Sequence, residues 1–597
     1  MPSPFTLERL SRVFAPVVVG VPPANAFRDM MEMPSGEIRH YGYRLMDGRK
    51  TPVFLSSEDC GFSWTEHPLH SGHPGATVRS PWSGDWITLL DVHDMKRDLH
   101  LADNPFDLPP GLHIFRSKDG PDGPFEAELV TPRGAACPRQ PMPLRSRHRW
   151  ILAFQRRENS KHRLYVLRSD DDGRTWAESD VGTPPEHVAT PPHKGVRWQN
   201  QGCEPTVVEL SDGRLWMLIR TSTDFHWETF SDDGGGTWAP VRPSRFRGTL
   251  TMPTFHRLRD GRILLFWCNT TPLPELDHDL QPELNVWERQ GLVEDVFTNR
   301  DAFHAAISDD DGRTWRGFRE VLLNPCRNDA DFRTRGGNAD SLDKSVHQSQ
   351  ALELPGGKIL VSVGQHELSR RFVMFDPAWL LETEHSCDFS SGCDGWSVHL
   401  YVRGILGNFK PPAGHCAYNR RPGAQLIPDP EPEKGPREVL QIARIPDPRL
   451  VTDRQGAVWN FPALAAGRLD IVLRFPENSQ GVRLSLLDHW RNPSDETVAD
   501  DATYTFALVP GAGIPCDRWL HFAVEWNVCG AKLSVDGMFI MESVLHGECP
   551  NGLSYLHLQS LADEADVAGT LVRSCSVRQH FGANPTSRPS SAPMEQA

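Results

Sequence analysis

A chain of 597 residues is longer than one hydrophobic core can organise, so two or three domains are expected. Hydrophobic residues make up 38% and charged residues 24%, the balance of a globular protein, and no apolar run reaches the roughly 18–20 residues of a spanning helix, which argues against a membrane protein. A formal net charge of −15 disfavours nucleic acid and anionic membranes as partners and leaves room for a small glycan in a locally basic pocket.

At the N-terminus the apolar run Phe14 to Val21 is short, is interrupted by Pro16, and is followed by no clear small-residue cleavage site. No secretory signal is read there. The twelve cysteines show no metal-ligand spacing, and only Cys387 and Cys393 stand close enough to pair. A reducing, cytoplasmic setting is therefore expected, with no metal and no cofactor.

Four segments then share the pattern Ser-x-Asp-x-Gly-x-Thr/Ser-Trp: Ser57 to Trp64, Ser169 to Trp176, Ser231 to Trp238 and Ser308 to Trp315. A degenerate fifth copy runs from Ser117 and Asp119 through Gly123 to Phe125. Asp and Ser bond nearby backbone groups in a tight turn, Gly supplies a positive φ, and Trp anchors the hairpin. A calcium loop of the EF type would need a distal Glu that these segments lack. Between the copies lie strand-like runs, among them Pro205–Leu210, Leu215–Ile219 and Ile263–Trp267. A second recurring turn precedes the second strand of each unit, at Pro34–Gly36, Ser83–Asp85, Ser211–Arg214, Arg259–Arg262 and Leu354–Gly357. About four strands per repeat make one propeller blade.

The pattern resembles the Asp-box, or BNR, repeats of the sialidase superfamily. The resemblance implies an all-β chain whose residues 1–383 form a six-bladed β-propeller and carry the catalytic site. The pattern stops near Phe375–Leu381. Residues 410–437, rich in Pro, Gly and charge, read as a long loop. Alternating strands are expected at 468–474, 482–487, 519–526 and 532–537. A Trp-led strand followed by one ending in Val-Asp-Gly resembles concanavalin-like, laminin-G-type sandwiches. Residues 384–582 are assigned to such a β-sandwich, expected to pack against the propeller rather than to bind glycan. The Ser- and Pro-rich tail 583–597 reads as disordered.

Aligning the Asp-Gly turns sets Gln348 and Met252 at the place of Glu204, at the axial end of each first strand. Trp198 and Asn200 lead into Glu204. His73, Arg79, Arg139, Gln140 and Arg28 fall near the axis in the earlier blades. The segment Cys203 to Arg220 is similar to a sialidase segment in which a central Glu tunes the nucleophile and an Arg binds the sugar carboxylate. By that resemblance these roles fall to Glu204 and Arg220. Independently, Arg220 ends a strand otherwise made of Leu, Trp, Met, Leu and Ile, so its guanidinium needs an anionic partner.

The chain also departs from the family. No tyrosine lies between Tyr165 and Tyr401, so the late-blade nucleophile is missing; the Arg-Ile-Pro signature is absent as well. Tyr41 and Tyr43 are expected to point away from the pocket. A standard sialidase is therefore not expected. The candidate catalytic residues are Glu204, His347 and His73, with His93 and His304 weighed beside them and Asp91 as a second acid. The candidate substrate-binding residues are Arg220, Arg79, Arg139, Arg28, Gln348, Asn200 and Trp198. These point to an exo-acting glycoside hydrolase on an oligosaccharide capped by an acidic or deoxy sugar. Two alternatives stay open: a polysaccharide or oligosaccharide lyase on the same propeller, and a non-catalytic glycan-binding protein with Trp198, Trp227 and Trp287 as platforms.

Overall fold

The structure, a computed structural model, describes residues 2–24, 29–46, 49–70, 72–92, 106–158, 161–188, 202–272, 300–328, 345–365, 367–401, 420–432, 437–511, 513–545 and 549–580. The predicted tail 583–597 lies outside them. Among the described residues, chain order gives six four-stranded antiparallel sheets, the arrangement of a β-propeller. Five are continuous in sequence, from strands 30–32 through 65–68, 78–79 through 126–131, 142–143 through 177–182, 203–209 through 242–247, and 254–257 through 316–323. The sixth joins strands 349–353, 359–363 and 371–375 to the N-terminal strand 17–20, so the first strand of the chain completes the last sheet.

The Asp boxes lie where the third strand of a blade turns into the fourth, and their polar side chains close the turn. In the box after strand 302–308, Asp310 accepts from Ser308 Oγ at 2.9 Å, from the Thr314 N–H at 2.8 Å and from Thr314 Oγ1 at 2.6 Å. Ser308 Oγ in turn accepts from the Gly312 N–H at 2.8 Å. The same bonds recur around Asp59, Asp171 and Asp233. The box tryptophans pack between blades: Trp64 stacks on Phe372 at 4.1 Å, and Trp315 meets Phe246 edge-on at 5.3 Å. Gly312 has φ +81°, and a Cβ there would stand 2.3 Å from the Trp216 ring of the neighbouring blade. Gly312→Ala is therefore expected to destabilise the protein by about 1–3 kcal/mol, read as a lower urea midpoint. Gly356→Ala, with φ +73° and open space around it, carries the backbone strain alone and should cost less.

Among the described residues, 384–579 build a two-stranded sheet and two large antiparallel ones. Of the large sheets, one has eight strands, including 467–474, 519–526 and 566–579; the other has five, including 456–464, 482–487 and 553–560. Strand 467–474 alternates buried and half-buried residues, the period of a sheet with one face inward. Leu469, Ile471 and Leu473 share one apolar cluster with Trp459, Leu484, Leu486 and Leu558 of the other sheet. Within the expected loop 410–437 the structure instead contains strands 420–422 and 425–428. Their pairing with 399–401 and 438–444 outweighs the Pro- and Gly-rich composition.

The fifth blade is the face on which these sheets rest. Asn460 donates to the Phe318 carbonyl at 3.0 Å and accepts from the Glu320 N–H at 3.1 Å. Asn269 donates to the Asp488 carbonyl at 2.8 Å. A buried chain of donors crosses the contact. The Asn269 N–H donates to His304 Nδ1 at 3.0 Å, so His304 carries its proton on Nε2 and gives it to the Tyr555 oxygen. The Tyr555 hydroxyl then donates to Glu320 at 2.7 Å. Burial lifts the Glu320 carboxyl from its ordinary 4.5 to about 7. The native state thus favours the protonated acid, and this contribution is complete below about pH 4.5 and is lost as pH rises through about 7. Glu320→Gln keeps the size and discards the titration. Its thermal midpoint should gain on the wild type between pH 5 and pH 8; parallel curves would contradict the assignment.

Candidate functional site

The turn between the first and second strands fixes the register of each blade. Its closing bond runs from the N–H of Met33, Ser80, Leu144, Leu210, Leu258 and Leu354 to a carbonyl four or five residues on. Six residues before three of these donors stand Glu204, Met252 and Gln348, as the repeat alignment predicts. Glu204 has φ +39° and Gln348 φ +61°. Non-glycine residues persist in this region only where surrounding bonds hold them. The Glu204 N–H donates to Gln155 Oε1 at 2.5 Å, and the strand bulges between Cys203 and Thr206, turning the Glu204 side chain toward its neighbours.

There the buried carboxylate is shared. Arg220 Nη1 donates to Oε2 at 2.6 Å from the end of the next strand, and Gln348 Nε2 donates to Oε1 at 3.2 Å from the sixth blade. Both Arg220 and Glu204 are almost fully buried, with side-chain exposures of 4% and 9%. Arg139, half-buried by surface area, sets its head group among backbone carbonyls, donating to Pro205 at 3.2 Å and Pro253 at 3.0 Å. It thereby staples the third, fourth and fifth blades. Beneath this layer Gln350 donates to Gln140 at 3.0 Å and exchanges bonds with the Met30 backbone at 2.8 and 2.7 Å, tying three blades across the axis.

Burial alone would raise the Glu204 carboxyl; the charges of Arg220, Arg139 and Arg300 override it and hold the group below the usual carboxylate range. Glu204 is thus an ionised acceptor and orienting group, not a proton donor near neutral pH. Burial pushes the Arg139 guanidinium down to about 10 against the pull of Glu204. His347, fully buried, is held well below its ordinary value by burial and by the charges of Arg300 and Arg220. Its Nε2 lies 3.1 Å from Arg300 Nη1 and accepts from it. Among the described residues, the charges of three guanidiniums bear on the Glu204 carboxylate, a grouping of the residue type that recognises anions.

The remaining candidates fall elsewhere. His73 is excluded from this cluster by its bonds: its Nδ1 accepts from the Gly75 N–H at 3.0 Å, its Nε2 meets the Pro121 carbonyl at 3.0 Å, and its ring stacks on Tyr41 at 5.2 Å. It is a neutral packing residue, pushed down to about 4 by burial. Arg79 pairs with Trp86 beside the turn, at the end of its strand opposite to the Glu204 level, and donates to the Gly84 carbonyl at 3.4 Å. Asp91 accepts from the Ala135 backbone, and His304 belongs to the contact with the C-terminal sheets. Trp227 donates to Thr223 at 3.0 Å. Arg28, Trp198 and Asn200, with His93 and Trp287, lie outside the described residues. Arg300 and Gln155 were not singled out from sequence. For Arg300 the signal in the sequence was a guanidinium two residues before the largely apolar strand 302–308, comparable with Arg220 at the end of its own strand.

The family model for a BNR repeat-like domain matches residues 132–329, about a third of the chain. A comparison with curated proteins returned no match. Among solved structures, a Dyadobacter fermentans protein of unknown function is 19% identical, with 61% of this chain and 97% of that chain covered at a TM-score of 0.37. Trypanosoma rangeli sialidase is 12% identical, with 93% and 92% covered at 0.31. NanB bound to Optactamide is 15% identical, with 60% and 69% covered at 0.37.

Proposed function

We propose that the protein is a carbohydrate-active enzyme that takes the acidic end of an oligosaccharide at the axial mouth of its propeller, acting as an exo-glycoside hydrolase. The observation that carries this reading is the Glu204–Arg220 pair, buried at the axial strand ends and joined there by Gln348, with Arg139 and Arg300 adding positive charge. A uronate or similar sugar acid supplies an anion that such a cluster of guanidiniums recognises, and bidentate pairing gives orientation as well as affinity. In this reading Glu204 sets the orientation of Arg220 and, as a carboxylate kept ionised near neutral pH by its arginines, stabilises positive charge developing at the sugar. Residues 1–383 carry the site. Residues 384–582 act as a concanavalin-like buttress, supported by the buried polar contacts that bind them to the fifth blade.

The test is incubation of the purified protein with oligosaccharides capped by uronate, sialic acid, rhamnose or galactose, with Glu204→Gln alongside. Release of the acidic sugar, lost in the variant, supports the proposal. A rise in absorbance of an unsaturated uronate without free sugar replaces hydrolysis by elimination. Binding without turnover on every member makes the protein a glycan receptor.

A further inference from the structure

The C-terminal sheets do more than cover the fifth blade, because one of their charged groups reaches the segment that walls the site. Arg300 and Asp301 stand next to each other directly before strand 302–308, and their side chains make contacts in different directions. Arg300 faces the propeller axis: Nη1 meets His347 Nε2 at 3.1 Å, and Nη2 donates to the Leu250 carbonyl. The Arg300 carbonyl accepts from the Val346 N–H at 2.8 Å. His347 is followed by Gln348, whose amide holds Glu204 at 3.2 Å. Asp301 faces the other way. Its carboxylate pairs with Arg420 Nη2 at 2.7 Å, with exposures of 0% and 1%, and accepts from Asn324 Nδ2 at 2.9 Å. Arg420 is itself placed by strand 420–422, over the Tyr401 ring at 5.3 Å and beside the Arg327 carbonyl at 3.4 Å.

We infer that Arg420 is a positioning residue for the candidate site: through Asp301 it fixes Arg300, and with it the His347–Gln348 segment that holds Glu204. The C-terminal unit is thereby part of the binding machinery. This rests on the proposed acidic-glycan site for its meaning, while the coupling itself can be measured without a substrate. A buried ion pair that loses one partner leaves an uncompensated charge, so the segment beside it must rearrange. Removing both charges relieves that penalty.

The test uses the full chain as wild type, R420Q, D301N and the double variant D301N/R420Q. Hydrogen exchange is followed by mass spectrometry over peptides spanning 300–308 and 345–353, with 161–169 in the third blade as the internal control. Either single variant is expected to accelerate exchange in the first two regions about tenfold or more with the control unchanged, and the double variant to return toward wild type. Unchanged exchange at 345–353 in both singles overturns the coupling, as does a double variant no better than the singles. If a single variant does not fold, R420K, which keeps the charge, replaces R420Q on the same peptides: faster exchange at 345–353 with an unchanged control supports the coupling, and unchanged exchange there overturns it. Glucuronic acid serves as the binding probe in parallel, with its affinity expected to fall with the exchange effect and recover in the double variant. A wild type that fails to bind glucuronic acid counts against the acidic-glycan reading, while the exchange data decide the coupling separately.

Discussion

Arg220→Met is expected to lower the stability of the propeller by about 3–5 kcal/mol, the usual range when one member of a buried ion pair is removed. The side chain of Met approximates the stem of Arg, so packing is nearly kept and the loss is electrostatic. It leaves the Glu204 carboxylate, 9% exposed, with the Gln348 amide as a side-chain donor and with the more distant charges of Arg139 and Arg300. The carboxylate would then take up a proton at higher pH than in the wild type, because the charge that overrides its burial is gone. Urea denaturation of Arg220→Met, Glu204→Gln and the double variant separates the contributions. The double variant should be more stable than Arg220→Met alone, since no buried charge is stranded. Additive losses would show that the two side chains do not form one unit.

Trp267→Ala should cost about 3–5 kcal/mol for a different reason, the cavity left by a large ring. Trp267 is fully buried, donates to the Arg247 carbonyl at 2.9 Å, and packs against Phe246 and Phe318, each at 5.5 Å. It ends the strand from which Asn269 reaches the C-terminal sheets. The loss should therefore appear both in the thermal midpoint and as faster proteolysis near the contact of the two units. Trp267→Phe fills most of the space but orphans the Arg247 carbonyl, and a smaller loss of about 1–2 kcal/mol is expected. Equal behaviour of the two variants would show that volume is not what Trp267 contributes.

What could be read from the sequence followed from how local each feature is. The Asp boxes were legible because one turn fixes Ser, Asp, Gly and Thr at set offsets, and the bonds around Asp310 are all made within seven residues. That Glu204 and Gln348 meet could be anticipated because a repeat makes positions in different blades comparable, and an anionic partner for Arg220 because it ends an apolar strand. Arg79 was misplaced because the turn of its blade occupies Ser80 to Asp85, which sets Arg79 beside the turn instead of at the axial end. His73 was misread because its two ring nitrogens are spent on Pro121 and Gly75, partners that a residue count does not disclose. Arg300 escaped notice because its role arises from a meeting of the fifth and sixth blades, 47 residues apart at His347, with no repeated position to mark it. The polar contacts of the C-terminal sheets with the fifth blade have the same origin, since Tyr555 and Glu320 meet across 235 residues.

The most direct test of the central claim compares two oligosaccharides identical except at the terminal sugar, glucuronate in one and glucose in the other, with wild-type protein and Arg220→Met. Binding is read by titration calorimetry at low and at high salt. A cluster of guanidiniums around one carboxylate predicts that the acid binds at least about tenfold more tightly, that the preference shrinks with salt, and that it falls in the variant. Equal affinity for the two sugars, or a preference untouched by Arg220→Met, would contradict the assignment of the Glu204–Arg220 cluster as an acidic-sugar site.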